Sequence, residues 1–205
     1  MLSMRGLSVG WSALTTARER EEDDRSTEAG LAERARCGDA RAFRALFDRH
    51  APAVRRFLLD LLRNRETADE ATQETFVRAH VRLSSLRDNE KVGAWLFGIA
   101  RHVFRETIRV RKHESTEERG YEETDQAPTP EASLIGREAD AMLADAMQEL
   151  SEERRAALLL RLDHGLEYEE IAEVMGWSLA KVKNEIHRGR LKLRERLKHY
   201  LDESR

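Results

Sequence analysis

Residues Leu166 to Arg190 read LEYEEIAEVMGWSLAKVKNEIHRGR, and this stretch decides the fold class. An apolar-patterned helix over Tyr168 to Met175 is predicted to break at Gly176. A short turn then carries Trp177, and Ser178 is placed to cap a second helix. That second helix is loaded with Lys181, Lys183, Asn184, His187, Arg188 and Arg190. Two helices joined by a tight glycine turn form a helix-turn-helix, a unit that lays its second helix in the major groove of DNA. Leu179, Val182, Ile186, Leu193 and Leu197 supply an apolar stripe at helical spacing. Lys181, Asn184, Glu185 and Arg188 are left pointing outward, with Lys183 and His187 near the edge. Arg and Asn each read a base with two hydrogen bonds, whereas Lys mainly contacts phosphate. Glu185 is out of place on such a face. It must accept from a cytosine amino group, pair with a neighbouring cation, or turn away.

Upstream of this unit, Ser151 is expected to cap a helix running to about Asp163, ended by His164-Gly165. Farther back, helical periodicity is dense from Thr27 to Lys112. Phe43, Leu46, Phe47, Val54, Phe57, Leu58 and Leu61 recur at helical spacing, and Pro52 is expected to bend or restart that helix. A second helix is predicted over Glu66 to Leu83 and a third over Val92 to Lys112, with a loop from Ser84 to Glu90 between them. The second has a polar face carrying Asp69, Gln73, Glu74 and His80. The third carries Arg101, Arg105, Arg109 and Lys112 as a stripe, with Trp95, Phe97 and Phe104 in the same helix. Basic side chains interleaved with aromatics suit the phosphates and unstacked bases of opened DNA.

Composition agrees with an all-α protein. The 205 residues include only 3 Pro and 11 Gly, and 37% are charged. The net charge of -3 hides segregation. Residues 114–140 hold nine acidic residues against two arginines and include Pro128 and Pro130, which reads as a flexible acidic linker. Residues 101–112 hold five cations against Glu106, and residues 181–198 hold eight against Glu185 and Glu195. One basic helix on each side of an acidic tether points to two separate contacts with a polyanion. The expected organisation is a mobile tail over 1–28, a helical domain over 29–113, the linker over 114–140 and a helix-turn-helix domain over 141–201.

Other classes find little support. The single cysteine, Cys37, rules out an internal disulfide framework and fits a reducing cytoplasm. No apolar run approaches the ~18 residues of a membrane span, so no membrane insertion is expected, and no signal peptide is read at the start. No metal-ligand spacing, glycine-rich phosphate loop or nucleophile elbow appears, so neither an enzyme nor a cofactor is expected.

Two stretches of the N-terminal half carry a family resemblance. ADEATQETFVRAHVRL (68–83) followed by GAWLFGIARHVFRETIRVRKH (93–113) resembles the second conserved region of bacterial sigma-70-type sigma factors. LSEERRAALLLRLDHGLEYEEIAEVMGWSLAKVKNEIHRGRLKLRERL resembles the fourth region. Having only these two regions, the chain is most similar to the extracytoplasmic-function group. In the family the first stretch has the form D-x-x-Q-E-x-F, met here by Asp69/Glu70, Gln73, Glu74 and Phe76. The second has the form W-L-Y-R-I-A-x-N. The resemblance implies that Asp69, Glu70, Gln73, Glu74 and Phe76 bind the clamp helices of core RNA polymerase. It implies that Trp95, Phe97, Arg101, His102, Arg105, Arg109 and Lys112, with the loop before them, recognise and open the −10 promoter element. Ser178, Lys181, Lys183, Asn184, Glu185, His187 and Arg188 would contact the −35 element, and their domain would touch the polymerase flap. An anti-sigma factor is the further partner implied.

Three positions depart from the pattern. His102 stands where the family commonly has Asn, and Gly98 replaces a usual Arg, at ~1 kcal/mol of helix propensity. Asn184-Glu185 stands where Ser-Arg is common, so the −35 sequence is not transferable from relatives. The competing reading is a dimeric helix-turn-helix activator that is not a polymerase subunit. Such a protein needs an N-terminal receiver or ligand domain rich in strands, and no strand pattern is visible.

Overall fold

The computed structural model describes residues 27–114 and 142–198, with side chains to residue 111 in the first stretch. The expected tail and acidic linker fall outside these residues, apart from their edges. Every regular element described is helical. Four α-helices form the N-terminal half: α1 (Glu28–Arg36), α2 (Ala40–Leu62), α3 (Arg65–Arg82) and α4 (Val92–Glu114). Two 3-10 turns, Leu83–Ser85 and Asn89–Lys91, bridge α3 and α4. The C-terminal half has a helical segment over 142–148, then α5 (Glu152–Leu162), α6 (Tyr168–Met175) and α7 (Leu179–Arg196).

The boundaries follow local chemistry. Asp39 caps α2 by accepting from the Arg41 and Ala42 amides at 2.9 and 3.2 Å. Asn64 caps α3 by accepting from the Thr67 amide at 2.9 Å. Each bond satisfies an amide that the first helical turn leaves without a partner, a contribution of ~1 kcal/mol. Glu167 and Glu170 form a reciprocal capping box at the start of α6. Gly176 ends α6 in the left-handed region (φ 63°), where a side chain would be strained.

Several sequence expectations need correction here. Thr27 caps α1, accepting from the Gly30 amide at 3.2 Å, so the first helix begins where a tail was expected to end and was not foreseen as a separate element. α2 runs unbroken through Pro52. The missing N–H costs about 3 kcal/mol or more in an isolated helix. Buried Leu46 on one side and Val54, Phe57 and Leu58 on the other hold both halves of α2 to one core. Ser151 starts α5, but its side chain makes no capping hydrogen bond.

The core of the N-terminal half gathers Val54, Phe57 and Leu58 of α2, Ala68 and Phe76 of α3, and Val92, Leu96 and Val103 of α4. That of the C-terminal half gathers Leu158 and Leu160 of α5, Ile171 of α6, and Val182 and Ile186 of α7. Full burial of each large side chain contributes ~1.5–3 kcal/mol. The halves also touch: α5 packs on α2, and α6 packs on α4. Arg155, almost fully buried, donates to the carbonyls of Met147 (3.0 Å), Gln148 (3.2 Å) and Leu150 (3.3 Å). It thereby closes the C-terminal end of the 142–148 segment, whose last carbonyls have no helical partners.

Candidate nucleic-acid and polymerase interfaces

Three surfaces carry the residues singled out by sequence. The first is the outer face of α3. Asp69, Glu70, Gln73 and Glu74 are all exposed on it, whereas Phe76 is buried with its ring 4.7 Å from Phe47. Phe76 is therefore a core residue that sets the position of the face. Asp69 pairs with Arg55 at 2.5 Å. Glu74 and Glu106 both accept from Arg78 at 2.7 Å, tying α3 to α4. The bond from Arg78 holds the Glu106 carboxyl below its ordinary range. Sequence reasoning missed Val77 and Val81, which are 59% and 75% exposed on the same face. Their signal was available: valines four apart on an otherwise polar helix face. Carboxylates beside exposed valines suit a partner surface that is both basic and apolar.

The second surface is α4 with the turn before it. His102, Arg105 and Arg109 are exposed, and Trp95 is half-buried. The side chain of Lys112 lies outside the described residues. Two of the expected residues are buried. Phe97 faces the interior, its ring 5.3 Å from Phe57 and 4.6 Å from His164. It is one turn before Arg101 and borders both stripes of α4, and packing turns it to the core side. Arg101 is only 6% exposed, because α6 and the start of α5 cover it. It reaches the Val174 carbonyl at 3.5 Å and Glu153 at 3.3 Å. Burial lowers its pKa, partly offset by Glu153.

A cavity of about 750 Å³ opens beside this helix, lined by Trp95, Gly98 and His102 of α4 and by Ser85, Arg87 and Asp88 of the preceding turn. A Cβ at Gly98 would meet nothing within 4 Å, so the glycine is not forced by packing. Burial, and then Arg101 and Arg105, push the His102 pKa down, which favours a neutral imidazole able to both donate and accept.

The third surface is α7. Ser178 accepts from the Lys181 amide at 3.3 Å and so starts the helix. Lys181 also lies 4.2 Å from the Trp177 ring centre, a cation–π contact that anchors the turn to the helix. Lys181, Lys183, Asn184, His187 and Arg188 are exposed. Glu185 is not among them. Its side chain is 18% exposed and accepts from Arg154 of α5 at 2.7 Å, with Arg188 at 3.8 Å. Of the three fates open to Glu185, pairing with a cation describes its geometry, and the pair belongs to the packing of α7 on α5. The odd carboxylate therefore stands aside and leaves a face of uniformly positive or neutral donors.

The matched regions coincide with these surfaces. Residues 46–114 match Sigma-70 region 2, and residues 140–193 match Sigma-70, region 4. RNA polymerase sigma factor YlaC of Bacillus subtilis is 32% identical over 166 residues, covering 78% of this chain and 94% of that protein. This chain belongs to the sigma-70 family. Its relatives place it in the extracytoplasmic-function (ECF) group. ECF RNA polymerase sigma factor EcfG of Rhodopseudomonas palustris is 33% identical, over 69% of this chain and 77% of that protein. Among solved structures, the sigma factor RpoE of Bartonella quintana, in complex with the anti-sigma factor NepR, matches with a TM-score of 0.67 at 27% identity. It covers 76% of this chain and 96% of that one. CnrH, in complex with the cytosolic domain of CnrY, matches with a TM-score of 0.65 at 26% identity, over 84% and 97%.

As a sigma factor, the protein directs promoter-specific transcription initiation with RNA polymerase. Among the described residues of this sigma factor, no helix is long and apolar enough to cross a membrane.

Proposed function

We propose a division of labour among the three surfaces. The α3 face, with Asp69, Glu70, Gln73 and Glu74 flanked by Val77 and Val81, docks on the clamp helices of core polymerase. Arg105, Arg109 and His102 of α4, with Trp95 and the 83–91 turns, handle the opened −10 element. Lys181, Asn184 and Arg188, flanked by Lys183 and His187, bind the −35 element in the major groove, while the rest of that domain meets the flap. Arg101 joins the −10 group once α6 withdraws. The protein acts in the cytoplasm as a dissociable specificity subunit and contributes no catalytic group to nucleotide addition. An anti-sigma factor holds it inactive, as the partners named in the RpoE and CnrH structures suggest.

The observation that carries this reading is the chemical contrast between exposed faces. One is acidic and apolar, suited to protein, and two are basic and aromatic or amide-bearing, suited to DNA. Run-off transcription with purified core polymerase, on promoters mapped after overproduction, tests it. Transcription should depend on this chain, and the chain should co-elute with core. Without both, the assignment fails. A dimeric activator would instead bind duplex DNA tightly alone, and no strand of the receiver domain it needs occurs among the described residues.

A further inference from the structure

The stretch from Leu83 to Lys91 has little support of its own. It consists of two 3-10 turns of three residues each, joined by Leu86, Arg87 and Asp88. Such turns have poorer hydrogen-bond geometry than an α-helix and hold a fixed shape only with outside help. Arg87 and Asp88 are exposed and line the cavity beside Trp95 and His102. The Arg87 side chain makes no hydrogen bond or ion pair among the described residues. The residues on either side of this pair are held by α1. Arg36 donates through Nη2 to the Leu86 carbonyl at 3.2 Å and to Asn89 Oδ1. Asn89 donates in turn to Glu33 at 3.0 Å, and Glu33 pairs with Arg36 Nη1 at 3.1 Å. Arg36, Asn89 and Glu33 thus close a triangle of polar contacts between α1 and the turns. A further tie joins the Gly93 amide, in the first turn of α4, to Glu28 of α1 at 3.2 Å.

We infer that α1 is a positioning element for −10 recognition, in which the Arg36–Asn89–Glu33 triangle sets where Arg87 and Asp88 meet the DNA. The inference rests on the assignment of the 83–91 turns to the −10 element. A base edge is read through bonds of about 2.7–3.2 Å, so a backbone shift of about 1 Å forfeits the discrimination they supply. Arg36 suits the task because its planar guanidinium serves the Leu86 carbonyl, Asn89 and Glu33 at once, which a lysine ammonium cannot do in a fixed geometry. Both hydrogen-bonding ends of the Asn89 amide are engaged by α1, so its side chain is occupied in holding the turn. Each contact is modest, since the Arg36 and Glu33 side chains are 31% and 55% exposed. Their closure into one triangle fixes the turn more firmly than any one of them could. α1 lies wholly before residues 46–114, the stretch that matches region 2, so that match gives it no part in reading a promoter.

Run-off transcription by the full chain with core polymerase, on a panel of single-base −10 variants and a matching −35 panel, tests this. Arg36→Ala should lower discrimination between the best and worst −10 bases about three- to tenfold and leave −35 discrimination as in wild type. Asn89→Ala should do the same. The double variant should lose no more than either single one, because both remove the same tie. Asp39→Ala, which removes the α2 cap and leaves the triangle intact, controls for lost stability and should keep full −10 discrimination. Unchanged −10 discrimination in Arg36→Ala overturns the inference. So does a loss of rate that is equal on every promoter, which would mark Arg36 as structural only. Additive losses in the double variant overturn it as well, since Asn89 would then act without Arg36. An Arg87→Ala/Asp88→Asn variant separates these failures from that of the underlying assignment. If it alters −10 discrimination while Arg36→Ala does not, the turns read the −10 element and α1 has no part in it. If it leaves −10 discrimination unchanged, the assignment of the turns falls, and the role of α1 with it.

Discussion

At the scale of single residues, two neighbours on one helix part company. Arg188 is exposed on the outward face of α7, and Glu185 is turned into an ion pair with Arg154. Replacing Arg188 with Ala should weaken −35 binding by ~1–3 kcal/mol if it reads a guanine, with the loss confined to promoters that carry that base. An equal loss on every sequence would mark a phosphate contact instead, and a panel of single-base −35 variants in a mobility-shift assay distinguishes the two. Replacing Glu185 with Ala should act elsewhere. It strands the Arg154 guanidinium, itself 25% exposed, between α5 and α7. The expected cost is ~1–2 kcal/mol of stability, discounted for the water that still reaches the pair. Thermal unfolding should show it, while relative affinities across the same −35 panel stay as in wild type. A changed base preference in Glu185→Ala would return this residue to the DNA interface.

At the scale of elements, α5 and α7 approach closely at Gly189. Gly189 faces the fully buried Leu158, and a Cβ there would sit 2.5 Å from Leu158 Cδ1 and 3.3 Å from Arg154 Cγ. Gly189→Val should therefore cost ~1–3 kcal/mol by overpacking, even though glycine is itself a poor helix former. A rise in thermal midpoint would mean that the helices slide apart more readily than the packing implies. This junction also marks where sequence reading stops. Caps, turns and the period of apolar residues located α2 to α7 within a few residues, because those signals are local. Gly189 looked like an ordinary helix glycine, since its reason is a partner thirty-one positions away. The continuity of α2 through Pro52 was hidden for the same cause. Phe97 and Arg101 shared the basic-aromatic pattern of α4, but their fates depend on His164, Val174 and Glu153, which only the packing of one half on the other brings near. Exposed Val77 and Val81 were legible and were passed over in favour of the charged residues beside them.

At the scale of the whole molecule, the seam between the halves encloses titratable groups of both signs. His164 is pinned between Phe57 of α2 and Phe97 of α4, and its Nε2 is buried with no hydrogen-bond partner among the described residues. Burial is the main cause that lowers its pKa, and Arg56 of α2 adds to it. Asp163 beside it in sequence acts in the opposite sense. A base with a depressed pKa in the closed arrangement binds fewer protons closed than open, so acid favours opening. Closure is undiminished above the ordinary histidine range near pH 6.5 and weakens as pH falls through it. Asp60 of α2 works the other way. Burial and then Asp163 raise its pKa, against Arg56 and Arg63, so protonation of Asp60 favours closure, but over the more acidic carboxylate range. Between about pH 7.5 and 6 His164 therefore dominates. Dyes placed on the two halves should report a falling closed fraction over that interval. His164→Phe, which keeps a ring between Phe57 and Phe97 but cannot be protonated, should flatten the response. A closed fraction in that variant as steeply pH-dependent as in wild type would remove His164 from the seam's proton response.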